Sequence, residues 1–222
     1  ISDKTLTFKI RKGVKFSNGD PVDAEAVAYS LKRVIKLKKT PAWVLTQFGV
    51  TEDSVKAIGD TVQMTMDKAY SPSLVLSCMS FITSTVNPKV AEKNAKEGDM
   101  GMSYLTERSA GSGPYVIASW VRNEKIVLER NEYYWGRKPQ IKSIVIIDIP
   151  ESSSQVVQLK GGSIDIAWNL EYDQIPEVEA TKGLQTIKTP LFKVIYLGMN
   201  AQRPPLDNVL VRRAIKSAID YK

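Results

Sequence analysis

Apolar and polar residues alternate at residues 6–10 and again at residues 62–66, and each alternation predicts a half-buried β-strand. An Asn-Gly pair at residues 18–19 predicts a tight turn shortly after the first of them. Apolar positions then recur every three or four residues, which is typical of helices. Each of these runs follows a polar residue that can cap a helix, and in two of them proline comes directly after that residue. The predicted helices of this first half begin near Asp23, Ser71 and Asn87.

The second half of the chain has longer apolar runs. Residues 114–121 and 125–130 flank a polar turn and predict an antiparallel hairpin. Residues 141–149 are almost continuously apolar, which predicts a central strand covered on both faces. A helix from Ser152 and a strand at 163–168 would then complete a right-handed parallel crossover. The remaining predicted elements are strands at 184–189 and 193–199 and a helix from about Asn208.

The stretch GSGPYVIASWVRNEKIVLERNEYYWG, residues 111–136, has three interpretations: a phosphate-binding loop, a nucleophile elbow, or a flexible crossing with a rigid corner behind it. A dinucleotide loop needs a third glycine and a following helix, which are missing, and Pro114 lacks an N–H donor. A nucleophile elbow needs a strand-to-helix turn, whereas Ser112 precedes a strand. The hinge therefore remains, and it marks a predicted domain boundary near 106–113. Its hinge and corner residues are Gly111, Gly113, Pro114, Asn131, Tyr134 and Trp135.

Composition narrows the function classes. The 222 residues include no histidine and one cysteine, Cys78, which excludes histidine-based triads, imidazole zinc sites and a disulfide framework. Cys78 stands in an apolar run, as is typical of a buried small hydrophobe. No apolar run is long enough to span a bilayer. The chain begins inside a predicted strand, so a processed or trimmed start is expected.

The net charge of +7 comes from 31 Lys and Arg against 24 Asp and Glu. Much of the excess lies in KRVIKLKK, residues 32–39, which could contact phosphate groups. The same lysines would also favour the C-terminal dipole of the predicted helix that they end. Because no aromatic platform or reading helix accompanies the charge, a solvated helix end is preferred and no nucleic-acid partner is expected.

Four segments together resemble the extracytoplasmic solute-binding proteins of ABC transporters that include dipeptide-, oligopeptide- and nickel-binding members. The first, LTFKIRKGVKFSNGDPVDAEAVAYSLKRV, resembles the family's strand, glycine turn and helix, and AGSGPYVIASWVRNEKIVLERNEYYWG resembles its G-[TS]-G-P-Y and N-x-x-Y-W stretch. LKGGSIDIAWNL is similar to its Gly-x-Ile-Asp element, and LGMNAQRPPLDNVLVRRAIKSAIDYK to its Asn, Pro, Val-Arg and Ala-Ile-Asp segment. The four occur in the family's order over nearly the whole chain.

The resemblance implies a two-lobed α/β protein of the type II periplasmic-binding-protein fold, with a mixed sheet and an extra α+β domain, truncated here at both ends. Residues 1–110 would be part of the extra domain, 111–195 part of the first ligand-binding lobe, and 196–222 the crossing and the start of the second lobe. It also implies a monomer in the periplasm or at the extracytoplasmic surface. This monomer would bind a peptide or similar small solute without a cofactor and deliver it to the membrane permease.

Candidate ligand contacts follow from strand ends and from the resemblance. Trp168 and Asn169 end a predicted parallel strand, where open α/β sheets present ligands, and that position faces the cleft in the family. Trp43 matches an aromatic-bearing segment that reaches the pocket in some nickel-binding relatives. Asn200 looks like the family's asparagine at the lobe crossing and is expected to stabilise that crossing more than to touch a ligand. The remaining candidates, where the extra domain would meet the cleft, are Ser80 and Phe81.

Two other functions compete with solute transport. One is the solute-sensing domain of a DNA-binding regulator, and the net positive charge is the argument in its favour. The other is a hydrolase with paired carboxylates, for which Asp165 and Glu171 are scattered candidates. The solute itself remains open between peptide, nickel chelate, opine and sugar. Without histidine, direct coordination of nickel by this chain is not expected.

Overall fold

A computed structural model describes residues 4–80, 82–189 and 196–220. The chain forms two compact units, Ile1–Pro150 and Glu151–Lys222. The strands are β1 Thr5–Lys9, β2 Val55–Ile58, β3 Thr61–Thr65, β4 Tyr115–Val121, β5 Lys125–Arg130 and β6 Ser143–Ile147. The helices are α1 Ala24–Leu37, α2 Trp43–Thr46, α3 Pro72–Met79, α4 Pro88–Lys93, α5 Met102–Leu105, α6 Ser152–Lys160, α7 Ile175–Ala180 and α8 Val209–Ala218, with 3-10 turns at Thr40–Ala42 and Tyr172–Gln174.

The main core of the first unit lies against a three-stranded antiparallel sheet of order β1-β3-β2. Alternate residues of a strand point to opposite faces, and the apolar set formed by Leu6, Val62 and Met64 is buried. Helices α1, α2 and α3 supply further buried side chains to the same cluster. The two predicted strands are confirmed as β1 and β3, whereas β2, which is only four residues long, was missed.

Helix α1 forms where the predicted cap places it. The Asp23 carboxylate accepts a hydrogen bond from the Ala26 N–H at 2.8 Å, which satisfies one of the free donors of the first turn. Leu31 and Ile35 are buried one helical turn apart and pack into the core. The helix ends at Leu37, and the next residue, Lys38, has a φ of 50° that takes the backbone into the left-handed region.

The hairpin is also confirmed, and it forms a second antiparallel sheet of order β4-β5-β6. The β4–β5 register shifts between Ile117 and Ser119. The prediction of a central strand at 141–149 is wrong for the described residues, because β6 lies at the edge of this sheet. Its residues Val145 and Ile146 point to opposite faces and are each about half exposed, at 52% and 50%.

The second unit is less regular than predicted. Helix α6 ends at Lys160, directly before the Gly161-Gly162 pair, as expected. The strand predicted at 163–168 is not formed, and neither is the parallel crossover, because all strand pairs in the described residues are antiparallel. An extended segment needs a hydrogen-bonded neighbour to become a strand, and none of the described strands lies in this unit.

Two further predicted strands have different outcomes. Residues 184–189 have no regular structure. Of the strand predicted at 193–199, residues 193–195 lie outside the described residues, and 196–199 are irregular. The helix predicted from Asn208 is confirmed as α8, with the Asn208 side chain accepting a hydrogen bond from Leu210 N–H at 2.9 Å. Among the described helices, none combines the length and the apolar character that a bilayer crossing requires.

Candidate functional site

The predicted hinge at 111–114 is bound to earlier parts of the chain. The Asn87 N–H donates to the Ala110 carbonyl at 2.8 Å, and the Ser17 N–H donates to the Gly111 carbonyl at 2.9 Å. Neither Gly111 nor Gly113 is among the residues with positive φ. Their backbone is therefore one that other residues could also adopt, and a role of these glycines in bending stays a prediction.

The corner behind this crossing is built on Asn131, which is 2% exposed. Its side-chain amide donates to the Gly113 carbonyl at 2.8 Å, and its backbone N–H donates to the Pro114 carbonyl at 2.9 Å. Tyr134 is half-buried and Trp135 is 45% exposed, with ring centroids 5.5 Å apart. The Asn131 side-chain oxygen accepts a hydrogen bond from the Tyr133 N–H at 3.0 Å, so both polar groups of this buried amide are bonded and hold two backbone segments at a fixed spacing.

The aromatic corner packs on the loop that follows β1. The Arg11 guanidinium carbon lies 4.5 Å from the centroid of the Trp135 ring, and the Lys15 ammonium lies 5.9 Å from that of Tyr133. Gly19 has a φ of +89°, and a Cβ atom built there would lie 3.3 Å from the Tyr133 ring. The aromatic ring therefore closes over the glycine of the predicted turn.

Asp20 joins that turn to the start of α4. The buried Asn87 amide donates to the carboxylate of Asp20 at 2.8 Å, and the Asn18 amide donates to it at 2.9 Å. The Lys89 ammonium lies 3.5 Å from the other carboxylate oxygen. These bonds favour the charged form, so the Asn87 amide first, and then that of Asn18, lower the pKa of Asp20 below its ordinary value.

A cavity of about 300 Å³ lies beside this network. Tyr29 lines it, and the Tyr29 hydroxyl is a buried polar atom with no hydrogen-bond partner among the described residues. Burial raises the pKa of Tyr29 above its ordinary value. The other lining residues are Phe16, Asp20, Pro21, Asp23, Glu25, Ala26, Asn87, Pro88 and Lys89.

Trp168 and Asn169 form a turn held on α6 rather than the end of a strand. The Trp168 N–H donates to the side-chain oxygen of Gln155 at 3.0 Å. Asn169 has a φ of +57°, a left-handed conformation that asparagine tolerates better than most residues. The Trp168 side chain is 75% exposed. The turn therefore presents an aromatic ring and an amide side by side on the surface of the second unit.

The candidates of the first unit lie on α2 and at the end of α3, two helices that pack together. Trp43 is the first residue of α2 and is 60% exposed. Ser80 is exposed, and its hydroxyl donates to the Ser77 carbonyl at 2.7 Å. Phe81 lies outside the described residues. Trp43 and Ser80 are thus accessible in this unit, and their contact with a ligand stays a prediction.

Asn200 lies in the segment before α8, where its side-chain oxygen accepts a hydrogen bond from the Gln202 N–H at 3.0 Å. Such a bond stabilises a local turn. A wide groove of about 850 Å³ runs between this segment and α8. Its lining is mainly apolar with a basic margin: Tyr196, Leu197, Met199, Val209, Arg212, Arg213, Ile215, Lys216 and Ile219.

Clustered acidic and thiol side chains could hold a metal ion. Within residues 4–80, 82–189 and 196–220, no group of three such residues is arranged to hold an ion. The polar features that sequence reasoning missed are instead the contacts of Gln155 and the Asp20–Asn87 network. Gln155 is three residues after the predicted helix start, but nothing in the sequence pairs it with Trp168.

Comparisons with known proteins cover nearly the whole chain. The family model described as "Bacterial extracellular solute-binding proteins, family 5 Middle" matches residues 2–222. The chain is 33% identical over 220 residues to the probable D,D-dipeptide-binding periplasmic protein DdpA of Escherichia coli (strain K12), covering 99% of this chain and 41% of that protein. The chain therefore spans well under half the length of this curated relative.

Solved structures give the same fold. A nickel ABC transporter from Bacillus halodurans superimposes with a TM-score of 0.69 at 25% identity, covering 98% of this chain and 42% of that one. Haemophilus influenzae OppA, in complex with the peptide RPPGFSPFR, superimposes with a TM-score of 0.68 at 26% identity, covering 99% and 45%. These matches confirm the predicted fold class and the predicted family resemblance.

Proposed function

The chain belongs to the family 5 bacterial extracellular solute-binding proteins, and on that premise we propose that its protein is the solute-binding component of an ABC importer. The protein captures a peptide or similar small solute outside the cytoplasm and delivers it to the membrane permease. The observation that carries the proposal is the family match over residues 2–222. The role is one of binding and transport rather than catalysis, and the protein acts as a monomer.

The three relatives compared above favour an organic solute or a metal chelate as the ligand. One is named for a D,D-dipeptide, one is named as a nickel transporter, and one holds a nine-residue peptide. In this chain, exposed aromatic side chains at Trp43 and Trp168 offer apolar contact area, as solute pockets usually do. Since the chain has no histidine, a peptide fits its side chains better than a directly coordinated nickel ion.

Among the two competing functions, the regulator receives no support from these relatives, which are named as binding or transport proteins. The net charge of +7 was the argument in its favour. For the hydrolase, Asp165 and Glu171 are both exposed in the second unit, and neither belongs to a group of three or more acidic or thiol side chains that could hold a metal ion among the described residues. The transport proposal is therefore preferred over both.

Native mass spectrometry of the complete protein, purified from its source and then denatured, tests the proposal. A co-purified peptide or other solute released on denaturation is the expected result. Calorimetric titration with a pool of di- to pentapeptides, and separately with a nickel–histidine chelate, then separates the two solute classes. A complete protein that co-purifies with nothing and shows no saturable heat with either probe contradicts the proposal.

A further inference from the structure

The loop that carries Trp168 and Asn169 is fixed to one face of α6. Ser152 and Gln155 stand three residues apart in this helix, so their side chains project from the same face. The side-chain oxygen of Gln155 accepts the Trp168 N–H at 3.0 Å. The Ser152 hydroxyl oxygen lies 3.4 Å from the Glu171 nitrogen, which donates to it.

A third contact closes the far end of the same loop. The Ser152 hydroxyl donates to the side-chain oxygen of Gln174, the last residue of the 3-10 turn Tyr172–Gln174. Gln155 therefore binds the beginning of the loop and Ser152 binds its end. Between these anchors Asn169 keeps its left-handed backbone, with a φ of +57°.

The side chains of this anchored loop point into solvent. Trp168 is 75% exposed and Tyr172 is 90% exposed, whereas the backbone between them is tied to the helix. Two large aromatic groups on a loop with a fixed backbone need only their side-chain torsions to be ordered when a ligand binds. Binding to such a surface costs less conformational entropy than binding to a loop that must first be ordered.

We propose that Gln155 and Ser152 are positioning residues, which hold residues 168–172 as a preformed aromatic contact surface for the solute. The proposal rests on the proposed function and adds the two residues of α6 that hold the candidate contact loop in place. Trp168 and Tyr172 provide faces for an apolar or planar group, such as the side chain of a bound peptide. Gln155 and Ser152 act through the loop and do not themselves touch the solute.

The test uses the full-length protein with Gln155 replaced in two ways. Gln155→Met keeps the length of the side chain but cannot accept the Trp168 N–H, whereas Gln155→Glu keeps an acceptor oxygen at that place. The tripeptide Ala-Phe-Ala is the probe, with affinity measured by calorimetry. We expect Gln155→Met to weaken binding about three- to tenfold, the range for losing one hydrogen bond, and Gln155→Glu to stay within about twofold of wild type.

The control is Gln158→Met, the same change one turn along α6, where the side chain makes none of the loop contacts described here. Hydrogen exchange of the Trp168 amide supplies a readout that does not depend on ligand. We expect this amide to exchange faster in Gln155→Met, to recover in Gln155→Glu and to remain unchanged in Gln158→Met.

The outcomes separate the two proposals. A wild-type protein that binds and a Gln155→Met variant that binds equally well overturn the positioning role while the transport function stands. An unchanged exchange rate of the Trp168 amide in Gln155→Met overturns it as well, whatever the protein binds. A wild-type protein that binds no solute from the broad peptide and chelate panel overturns the proposed function, and the exchange rates then still decide whether Gln155 holds the loop.

Discussion

Asp20 shows how one carboxylate links separate parts of the chain. It accepts hydrogen bonds from the amides of Asn18 and Asn87, and the latter side chain is only 1% exposed. In both bonds the Asp20 carboxylate is the acceptor, and a charged carboxylate accepts hydrogen bonds more strongly than a protonated one. The resulting pKa of Asp20 lies below its ordinary value of 3.8, and the largest cause is the Asn87 amide.

This lowered pKa makes the network sensitive to acid. Because the folded pKa lies below the unfolded one, the stabilisation is fully present above the unfolded value and is lost as the pH falls through the folded value. We therefore expect Asp20→Asn to lower the urea midpoint of unfolding most at pH 5 to 7 and progressively less below 3.8. Asp53→Asn, at an exposed position without these bonds, is the control. A pH-independent difference for Asp20→Asn would contradict the argument.

Gly19 carries a second residue-scale prediction, since it needs both its backbone conformation and its missing side chain. Gly13 and Gly19 have similar φ values of +79° and +89°, but only at Gly19 would a Cβ meet the Tyr133 ring, at 3.3 Å. Each change to alanine should cost about 1–2 kcal/mol for the left-handed backbone. Gly19→Ala should cost more than Gly13→Ala in urea unfolding, because the ring must also move. Equal losses would show that Tyr133 yields freely.

At the scale of elements, the buried face of α1 contributes more to the free energy of unfolding than its N-terminal cap does. Leu31 is 3% exposed within the main core, and truncating such a side chain to alanine costs about 2–5 kcal/mol. The Asp23 cap makes one hydrogen bond, whose loss costs about 1 kcal/mol. We expect Leu31→Ala to destabilise the protein at least twice as much as Asp23→Ala, with the exposed Lys36→Ala near zero. Chemical unfolding of the three variants measures this, and a reversed order would contradict it.

Local patterns predicted the elements whose cause is local. The Asp23 cap, the apolar spacing of α1 and the polar turn of the β4–β5 hairpin are contained in a few consecutive residues, and the structure has all three. The strand expected at 163–168 depended instead on a distant neighbour to pair with, and no described strand lies beside it. The same limit applies to the site, because the bond between Gln155 and Trp168 joins residues that no short-range pattern connects.

At the scale of the whole chain, the division of function among domains stays a prediction. The structure separates two units after Pro150, whereas the boundaries expected from the family resemblance were near residues 110 and 195. Within the first unit, residues 110–114 are bonded on one side to Ser17 and Asn87 and on the other to Asn131. We therefore expect this crossing to couple the stabilities of the two sheets energetically rather than to act as a hinge.

A double-mutant cycle between Asn87 and Asn131 tests that coupling. Asn87→Ala and Asn131→Ala each remove a buried amide and should each cost about 1–3 kcal/mol. The Asn131 amide binds the crossing directly at the Gly113 carbonyl. The Asn87 amide supports it indirectly, because it holds the Asn18–Asp20 turn next to Ser17, whose N–H donates to the Gly111 carbonyl. The losses should therefore not add, and a coupling of at least about 0.5 kcal/mol is expected from urea unfolding. The cycle of Asn87→Ala with the exposed Gln140→Ala should show none. Additive losses for Asn87 and Asn131 would mean that the crossing isolates the two sheets and can act as the hinge after all.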